Sequence, residues 1–427
     1  MPFLIPAADD LGSQRADLSL GLRAAARHYS DLVVPGIGGA SRVRHLSWAV
    51  AGIRLREDSG YKGKAVAVAH GVEALACKLE WACTLAEARR DLAVPGKNAF
   101  RRNPDAWDFS DLSQRRFYVQ VTQRQVTTRA LPLDTGLGLC DGSTRYSGMV
   151  LTAGGAALSN AFLGQKGLGK GSPRLGSNLQ GWIFGSFPAG SASGWERLRE
   201  LLGPFSATAA ERELVRGRLA SHLSSSTDLG RMDPARRSRL MEFLDAHVVG
   251  EPAWADTDAL LAWLAIHGGE THAADIRTAL RFEELRAAGV NVVAEMVRVA
   301  SQAGVNVGVA VCAKTADIRG AIERCREAAE LYRLAAAAGG NGRTDALGFA
   351  CEVDGKHADV VKALVLRDGR ILTLAGETIW RGPAWRPEMQ SEEYSENLEG
   401  LEGAPAAGRP GRLFQFVGLW RDCHGAA

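Results

Sequence analysis

The sequence predicts a mainly α-helical, multi-domain protein with a small β component. Apolar residues recur at spacings of three and four through most of the chain, which is the helical period. Clear strand-favouring runs are confined to the last third of the sequence. A length of 427 residues is enough for two or three domains, each with its own core.

Composition places the chain among soluble proteins. Apolar residues make up 46% and charged residues 23%, and the net charge of +3 is too small to indicate nucleic-acid binding by itself. Seven scattered cysteines never form C-x-x-C, so we expect neither disulfides nor zinc, and we predict a cytoplasmic location. Glu295 and Arg298 interrupt the most apolar late stretch, so we expect no membrane span. We also expect no metal and no cofactor.

The N-terminal half predicts a helical domain over residues 1–163. Helices are expected at 18–32, 42–56 and 65–90, each with one apolar stripe. The stretch 164–194 is rich in glycine, which predicts a linker or a long loop.

The C-terminal half predicts a helical middle region, 195–300, followed by an α+β region, 301–427. Asp368 and Gly369 form a dipeptide typical of hairpin turns. Residues 388–402 contain six glutamates and no basic residue, which predicts a solvated, mobile segment. The predicted strands of the α+β region are 305–312, 349–353, 360–366 and 371–374.

A turn and two arginines precede the second helix. Pro35 stops the first helix, a glycine-rich turn follows, and Ser41 is the expected N-cap of the second. Arg42 and Arg44 stand in the first turn, where guanidinium groups and helix amides together could hold a phosphate. The alternative is that both arginines pair with acidic residues of their own domain.

This stretch resembles the N-terminal signature of a poorly characterised bacterial family seen among phage-defence and restriction gene clusters. The resemblance rests on the Pro35-Gly36 turn, the spacer, the R-x-R of Arg42 and Arg44, and Trp48 in the helix that follows. His45 stands where the signature has tyrosine. The resemblance implies a role in a defence or DNA-processing complex.

A second basic region covers residues 89–129. It holds nine basic and four acidic residues, with aromatic residues between them. Arg101, Arg102, Arg115 and Arg116 are the arginines of this region that we expect to bind, because such a patch suits contacts with a phosphate backbone. A solvated face with internal salt bridges is the alternative.

Two motifs near the C-terminus suggest a nuclease as an alternative. Residues 362–382 resemble a degenerate phospholipase D-like strand motif, with Lys362 but with Val360 in place of the nucleophilic histidine. Asp345, Asp354 and Lys356 form a D...D-x-K set that could hold a metal ion and activate water.

We therefore expect a non-catalytic component of a bacterial defence or DNA-processing complex. It would bind nucleic acid or a partner subunit through six arginines: Arg42, Arg44, Arg101, Arg102, Arg115 and Arg116. No intact catalytic motif occurs, so enzymatic activity is not the favoured expectation. The alternatives are the nuclease that uses the C-terminal strands and a purely structural interaction protein.

Overall fold

The computed structural model shows a mainly α-helical protein with a small β component, as the sequence predicted, and the residues it describes contain two small antiparallel sheets. Within the described ranges, no helix combines the length and apolarity needed to cross a membrane. The described residues are 20–59, 72–73, 75–80, 130–133, 136–142, 148–165, 174–184, 198–220, 235–247, 257–304, 306–383, 385 and 411–425.

The chain divides into two compact units, and each unit is built from separate stretches of sequence. The first unit contains residues 1–33 and 261–411, and the second contains residues 34–260 and 412–427. The sequence-based boundaries at residues 163, 194 and 300 stay predictions.

The first unit is built on two long helices, α8 (Glu270–Gln302) and α10 (Ala316–Gly339), against which α1 (Arg23–Val33) packs. α8 has 33 residues and is about 50 Å long at the usual helical rise. Its buried residues recur at helical spacing, so one stripe faces its neighbours: Ile276, Phe282, Leu285, Val292 and Met296. The helices of this unit are α1 (Arg23–Val33), α7 (Thr257–Ile266, which the unit boundary divides), α8 (Glu270–Gln302), α9 (Val309–Lys314), α10 (Ala316–Gly339), α11 (Thr344–Glu352) and α12 (His357–Asp368).

Two tyrosines fasten α1 to this helical pair. The hydroxyl oxygens of Tyr29 and Tyr332 are 2.6 Å apart, and the Tyr29 hydroxyl donates to the Asn341 carbonyl at 3.0 Å. The Phe282 ring lies 4.9 Å from that of Tyr29. Burial raises the pKa of both tyrosines, so their hydroxyls stay protonated.

A three-stranded antiparallel sheet completes the first unit. Its strands are β3 (Asn306–Gly308), β4 (Leu372–Ala375) and β5 (Thr378–Arg381), in the order β3-β5-β4. Gly376 has φ +61° in the turn that joins β4 to β5, a conformation that favours glycine.

Several predicted strands of the C-terminal region are wrong. Residues 349–353 and 360–366 are helical and belong to α11 and α12, and in 305–312 only β3 is extended. Gly369, expected in a hairpin, ends α12 with φ +56°. Short apolar runs do not distinguish a strand from a buried helix, which explains the error. The strand predicted at 371–374 is confirmed as β4.

The second unit is organised around α2 (Val43–Ser59), whose predicted core residues Val43, Leu46, Val50 and Ile53 are all buried. A two-stranded antiparallel sheet is formed by β1 (Cys140–Gly142) and β2 (Met149–Leu151). Further helices of this unit among the described residues include α3 (Ala153–Leu163), α4 (Leu175–Phe184), α5 (Ala209–Ala220), α6 (Ala235–His247) and α13 (Gly411–Cys423).

The glycine-rich stretch 164–194 is not a continuous loop, because it contains α4. Leu175 and Leu179 of α4 are buried, which gives this helix an apolar face. Before it, Thr152 caps α3: the Gly155 amide donates to the Thr152 hydroxyl at 3.2 Å.

Two helical glycines of the second unit give a matched stability test. A Cβ at Gly155 would overlap the carbonyl oxygen of Leu139, whereas nothing lies within 4 Å of one at Gly217. We expect Gly155→Ala to lower the free energy of unfolding by about 1–3 kcal/mol. Gly217→Ala should raise it by about 0.5–1 kcal/mol, because alanine favours helix. Urea unfolding of both variants measures this, and a stabilised Gly155→Ala would contradict the close packing.

Candidate functional site

The turn before α2 has the backbone that its glycines predicted. Gly36 and Gly38 have φ of +74° and +56°, which side chains rarely allow. The Ala40 amide donates to the Ile37 carbonyl at 3.1 Å and closes the turn. Almost the whole turn is buried, so its packing fixes the direction in which the backbone enters α2.

A carboxylate from the far end of the sequence caps α2. The Val43 amide donates to Oδ2 of Asp422 at 2.7 Å, and Asp422 belongs to α13. α13 comes close because Gly418 has no side chain: a Cβ there would lie 3.1 Å from the Ser41 carbonyl oxygen. The capping carboxylate is therefore Asp422, whereas the sequence suggested Ser41.

Arg44 has an internal role. Its side chain is 0% exposed, and Nη2 lies 3.3 Å from Oε2 of Glu211. Nη1 donates to the Leu201 carbonyl at 3.0 Å, and Nη2 donates to the Ser206 carbonyl. The guanidinium also stacks over the Phe162 ring at 4.7 Å. Arg44 therefore has no exposed guanidinium to offer a phosphate.

Glu211 is fixed by the start of α5. Its Oε2 accepts from the Thr208 amide at 2.8 Å, and its own amide donates to the Thr208 hydroxyl at 3.2 Å. This reciprocal pattern is a capping box. The spacing Thr208-x-x-Glu211 is the sequence signal for it.

Burial and neighbouring charges set the electrostatics around Asp422. Burial raises the pKa of Asp422, while the Val43 amide and Arg42, Arg44 and Arg212 act in the opposite direction. Burial also lowers the pKa of Arg44, and Glu211 opposes that effect. Charged groups of both signs thus stabilise one another inside the unit.

Three further arginines surround the end of α13, and we call Arg42, Arg212 and Arg216 the arginine cluster. Arg42 lies over the exposed Phe205 ring at 4.5 Å. Arg212 interacts electrostatically with Asp422. Both Arg212 and Arg216 lie close enough to Cys423, the next residue of α13, to oppose the rise in its pKa. Within the described part of the chain, no side chain of the cluster makes a hydrogen bond or a direct ion pair. Nε of Arg212 is buried, so the exposed Arg216 and the half-buried Arg42 offer the guanidinium donors that a ligand could reach.

The surroundings of the arginine cluster are basic. Arg421 lies near Arg42, and the nearby carboxylates are Asp422 and Glu213. The three arginines of the cluster thus face two carboxylates, since Arg44 is balanced by Glu211. This positive excess suits an anion, and phosphate above all, because guanidinium binds it bidentately.

His45, the departure from the bacterial signature, is fully enclosed beside Trp48. The ring centroids of His45 and Trp48 are 5.4 Å apart. Burial, with a smaller effect of Arg42, lowers the pKa of His45 to about 3, so the imidazole is neutral at ordinary pH. His45 therefore adds no charge to the site.

The other predicted binding residues, Arg101, Arg102, Arg115 and Arg116, lie outside the described residues. Only Arg42 of the predicted set joins the arginine cluster. Arg212 and Arg216 were not predicted, because nothing in their local sequence indicates that α5 packs beside the end of α13.

The residues of the nuclease alternative are dispersed. Asp345 stands in the first turn of α11 and pairs with Arg343 at 3.3 Å. Asp354 follows the other end of α11, roughly 13 Å along the axis, and pairs with Arg333. Lys356 precedes α12. Among the described residues, no group of three His, Cys, Asp or Glu side chains could hold a metal ion.

The phospholipase D-like motif also loses its strand geometry. Lys362 lies in α12 and pairs with the exposed Glu377. Asp368 ends the same helix, and its Oδ2 accepts from the amides of Ile371 and Leu372 at 3.1 and 2.7 Å. Asp368 therefore shapes the turn into β4.

No protein-family model matches the chain, and no curated protein and no solved structure matches it. The resemblance to the bacterial signature stays a prediction. Function has to be argued from the geometry and charge of the site itself.

Arg44 and Arg54 of the same helix provide a test of the internal role. Arg44→Met leaves Glu211 buried without its partner, so we expect a loss of about 3–5 kcal/mol in the free energy of unfolding. Arg54 pairs with Asp58 on the exposed surface, and Arg54→Met should lose less than about 1 kcal/mol. Adding Glu211→Gln to Arg44→Met should restore part of the loss. Equal effects of the two methionine variants in urea unfolding would disprove this role.

Asp368 gives a prediction about pH. Burial raises its pKa to about 6, above the unfolded value of about 3.9, although backbone amides oppose the shift. Its stabilising contribution is therefore complete below about pH 4 and is lost as the pH rises through 6. Asp368→Asn keeps an acceptor for both amides but cannot ionise.

We expect Asp368→Asn to match the wild type in free energy of unfolding at about pH 4. At about pH 7.5 it should exceed the wild type by on the order of 1–3 kcal/mol. Urea unfolding at both pH values measures the difference. The same difference at both values would show that the ionisation of Asp368 has no part in it.

Proposed function

We propose that this protein is a non-catalytic component that binds nucleic acid through the arginine cluster of its second unit. One observation carries the proposal. Arg42, Arg212 and Arg216 surround the end of α13, and none of their side chains has a hydrogen bond or a direct ion pair among the described residues. Arginine side chains that lack a partner within the protein are common contacts to a phosphate backbone.

Burial of Arg44 supports the proposal indirectly. The Arg44–Glu211 pair and the Asp422 carboxylate hold the start of α2 against α5 and α13. Arg42 projects from that same start, so its position is set by rigid neighbours. Preorganised cations bind an anion with less loss of conformational entropy than flexible ones.

The place of this protein in a bacterial defence or DNA-processing complex rests on the R-x-R signature of Arg42 and Arg44. The basic residues of 89–129 are the second support, because they would extend a phosphate-binding surface. A partner subunit is the other ligand that such a complex would supply.

Of the two alternatives, the structural interaction protein has a specific observation in its favour. Arg44 has the internal pairing that this alternative assigns to every arginine of the region. The nuclease alternative lacks such support, because Asp345 and Asp354 stand at opposite ends of α11 and both pair with arginines.

Salt dependence tests the nucleic-acid proposal. Affinity for DNA or RNA should fall with salt, with a log-log slope of about 0.7 to 0.9 for each phosphate contacted. Arg42→Ala combined with Arg212→Ala should flatten the slope by about one to two units. Titration of a labelled oligonucleotide by fluorescence anisotropy at several salt concentrations measures it.

The matched control removes two arginines that are already paired. Arg54→Ala with Arg281→Ala removes the same charge from exposed ion pairs and should leave the slope unchanged. The double variant Arg115→Ala with Arg116→Ala tests whether the segment 89–129 contributes to the salt slope. Equal slopes for the cluster variant and its control, or no binding by the wild type at low salt, would reject the proposal.

A further inference from the structure

An aromatic ring stands at the tip of a short turn that leads into α5. The turn is Gly203-Pro204-Phe205-Ser206, and the Ser206 amide donates to the Gly203 carbonyl at 3.2 Å. Proline at the second position of such a turn fixes φ and limits the freedom of the backbone. Pro204 is buried whereas Phe205 is 39% exposed, so the turn presents the phenyl ring at the surface. We call residues 203–206 the Phe205 turn.

Two buried side chains of α2, Arg44 and Trp48, hold the Phe205 turn in place. They donate to three backbone carbonyls: Arg44 Nη1 to Leu201 at 3.0 Å, Arg44 Nη2 to Ser206, and Trp48 Nε1 to Leu202 at 2.9 Å. These carbonyls lie on both sides of Phe205 in the sequence. The backbone that carries the exposed ring is therefore tied to one helix at three points.

Arg42, which directly precedes α2, meets the same ring. Its Cζ lies over the Phe205 ring, 4.5 Å from the ring centroid, and we call these two side chains the Arg42–Phe205 pair. Arg42 is half-buried, and its guanidinium makes no hydrogen bond among the described residues. The ring of Phe205 makes no other ring contact in the same part of the chain. Arg42, Arg44 and Trp48, which carry the resemblance to the bacterial signature, thus all act on the Phe205 turn.

The surroundings of the Arg42–Phe205 pair favour an anionic ligand over a protein partner. Arg421 lies near Arg42, and the exposed Arg216 belongs to the same cluster. Asp422, the carboxylate that acts on Arg42, is buried and accepts from the Val43 amide. Among the described residues of α2, α5 and α13, no large apolar side chain is exposed. The core of a protein interface needs several such side chains, whereas the charge here complements phosphate.

We infer that the Arg42–Phe205 pair stacks an unpaired base of single-stranded nucleic acid, with Arg44 and Trp48 as positioning residues. The inference rests on the proposed function and adds the class of ligand. Bases of single strands stack on aromatic rings and on guanidinium planes, and neighbouring arginines contact the phosphates. In a duplex the bases stack on one another, so their faces are closed to a side chain. A single strand is therefore the ligand that uses both the ring and the charge of this surface.

The test compares Phe205→Leu with Phe205→Tyr in titrations of a labelled single strand of about 12 nucleotides. Leucine keeps an apolar side chain but has no aromatic face, so single-strand affinity should fall by about 5- to 100-fold. Tyrosine keeps the ring and should retain most of the affinity. The salt slope should stay the same in both variants, because neither change removes a phosphate contact.

Three controls separate stacking from a general loss of structure or charge. A duplex of the same sequence and an abasic strand keep the phosphates but offer no free base face. Wild type and Phe205→Leu should bind each of them equally. Val150→Ala removes another exposed apolar side chain of the second unit and should leave single-strand affinity unchanged.

Trp48→Phe tests the positioning role. It removes the N–H that binds the Leu202 carbonyl but keeps an aromatic ring in the core. We expect weaker binding of the normal single strand and unchanged binding of the duplex and the abasic strand, because only the placement of the Phe205 ring is affected. Equal weakening with all three ligands would show that Trp48 is merely structural and would overturn its positioning role.

The outcomes distinguish this inference from the proposed function. If Phe205→Leu keeps the wild-type single-strand affinity while the salt slope still depends on the arginine cluster, base stacking is wrong and the proposed function stands. If the wild type binds neither the normal nor the abasic strand nor the duplex, both are wrong. Equal weakening of normal and abasic strands by Phe205→Leu would also overturn the inference.

Discussion

The bond from the Val43 amide to the Asp422 carboxylate is the interaction on which the second unit depends most. It joins residues 379 positions apart and brings the end of the chain to the start of α2. A buried carboxylate requires compensating charge, and Arg42, Arg44 and Arg212 supply it. Arg44 in turn requires Glu211, which α5 provides. The packing of α2, α5 and α13 is therefore linked through one charge network.

This network divides the arginines into two kinds. The guanidinium of Arg44 is bound by internal partners, and loss of Arg44 would leave the buried Glu211 carboxylate without compensation. Arg42, two residues earlier, contributes charge beside Asp422 and lies over Phe205, but its side chain has no hydrogen bond among the described residues. The two alternatives that the sequence left for the R-x-R motif are thus divided between its members: the internal pairing describes Arg44, and the phosphate site is proposed for Arg42.

Most helices were predictable from the sequence, and the site was predictable only in part. Periodic apolar residues indicated α1 and α2, and they marked the region that contains α5 to α8 as helical. The runs 349–353 and 360–366 were misassigned because their short apolar stretches suit a strand or a buried helix. Asp422 carries no local signal at all, because a cap from 379 residues away depends on tertiary packing alone.

Ultraviolet cross-linking of the wild-type protein to a single-stranded oligonucleotide tests the central claim most directly. The exposed ring of Phe205 lies under Arg42, so a strand bound to the arginine cluster would pass within reach of it. We expect peptide mapping to find a cross-linked peptide that contains Phe205. Efficient cross-linking with no product among peptides from residues 198–220 would contradict the claim that the arginine cluster is the binding site.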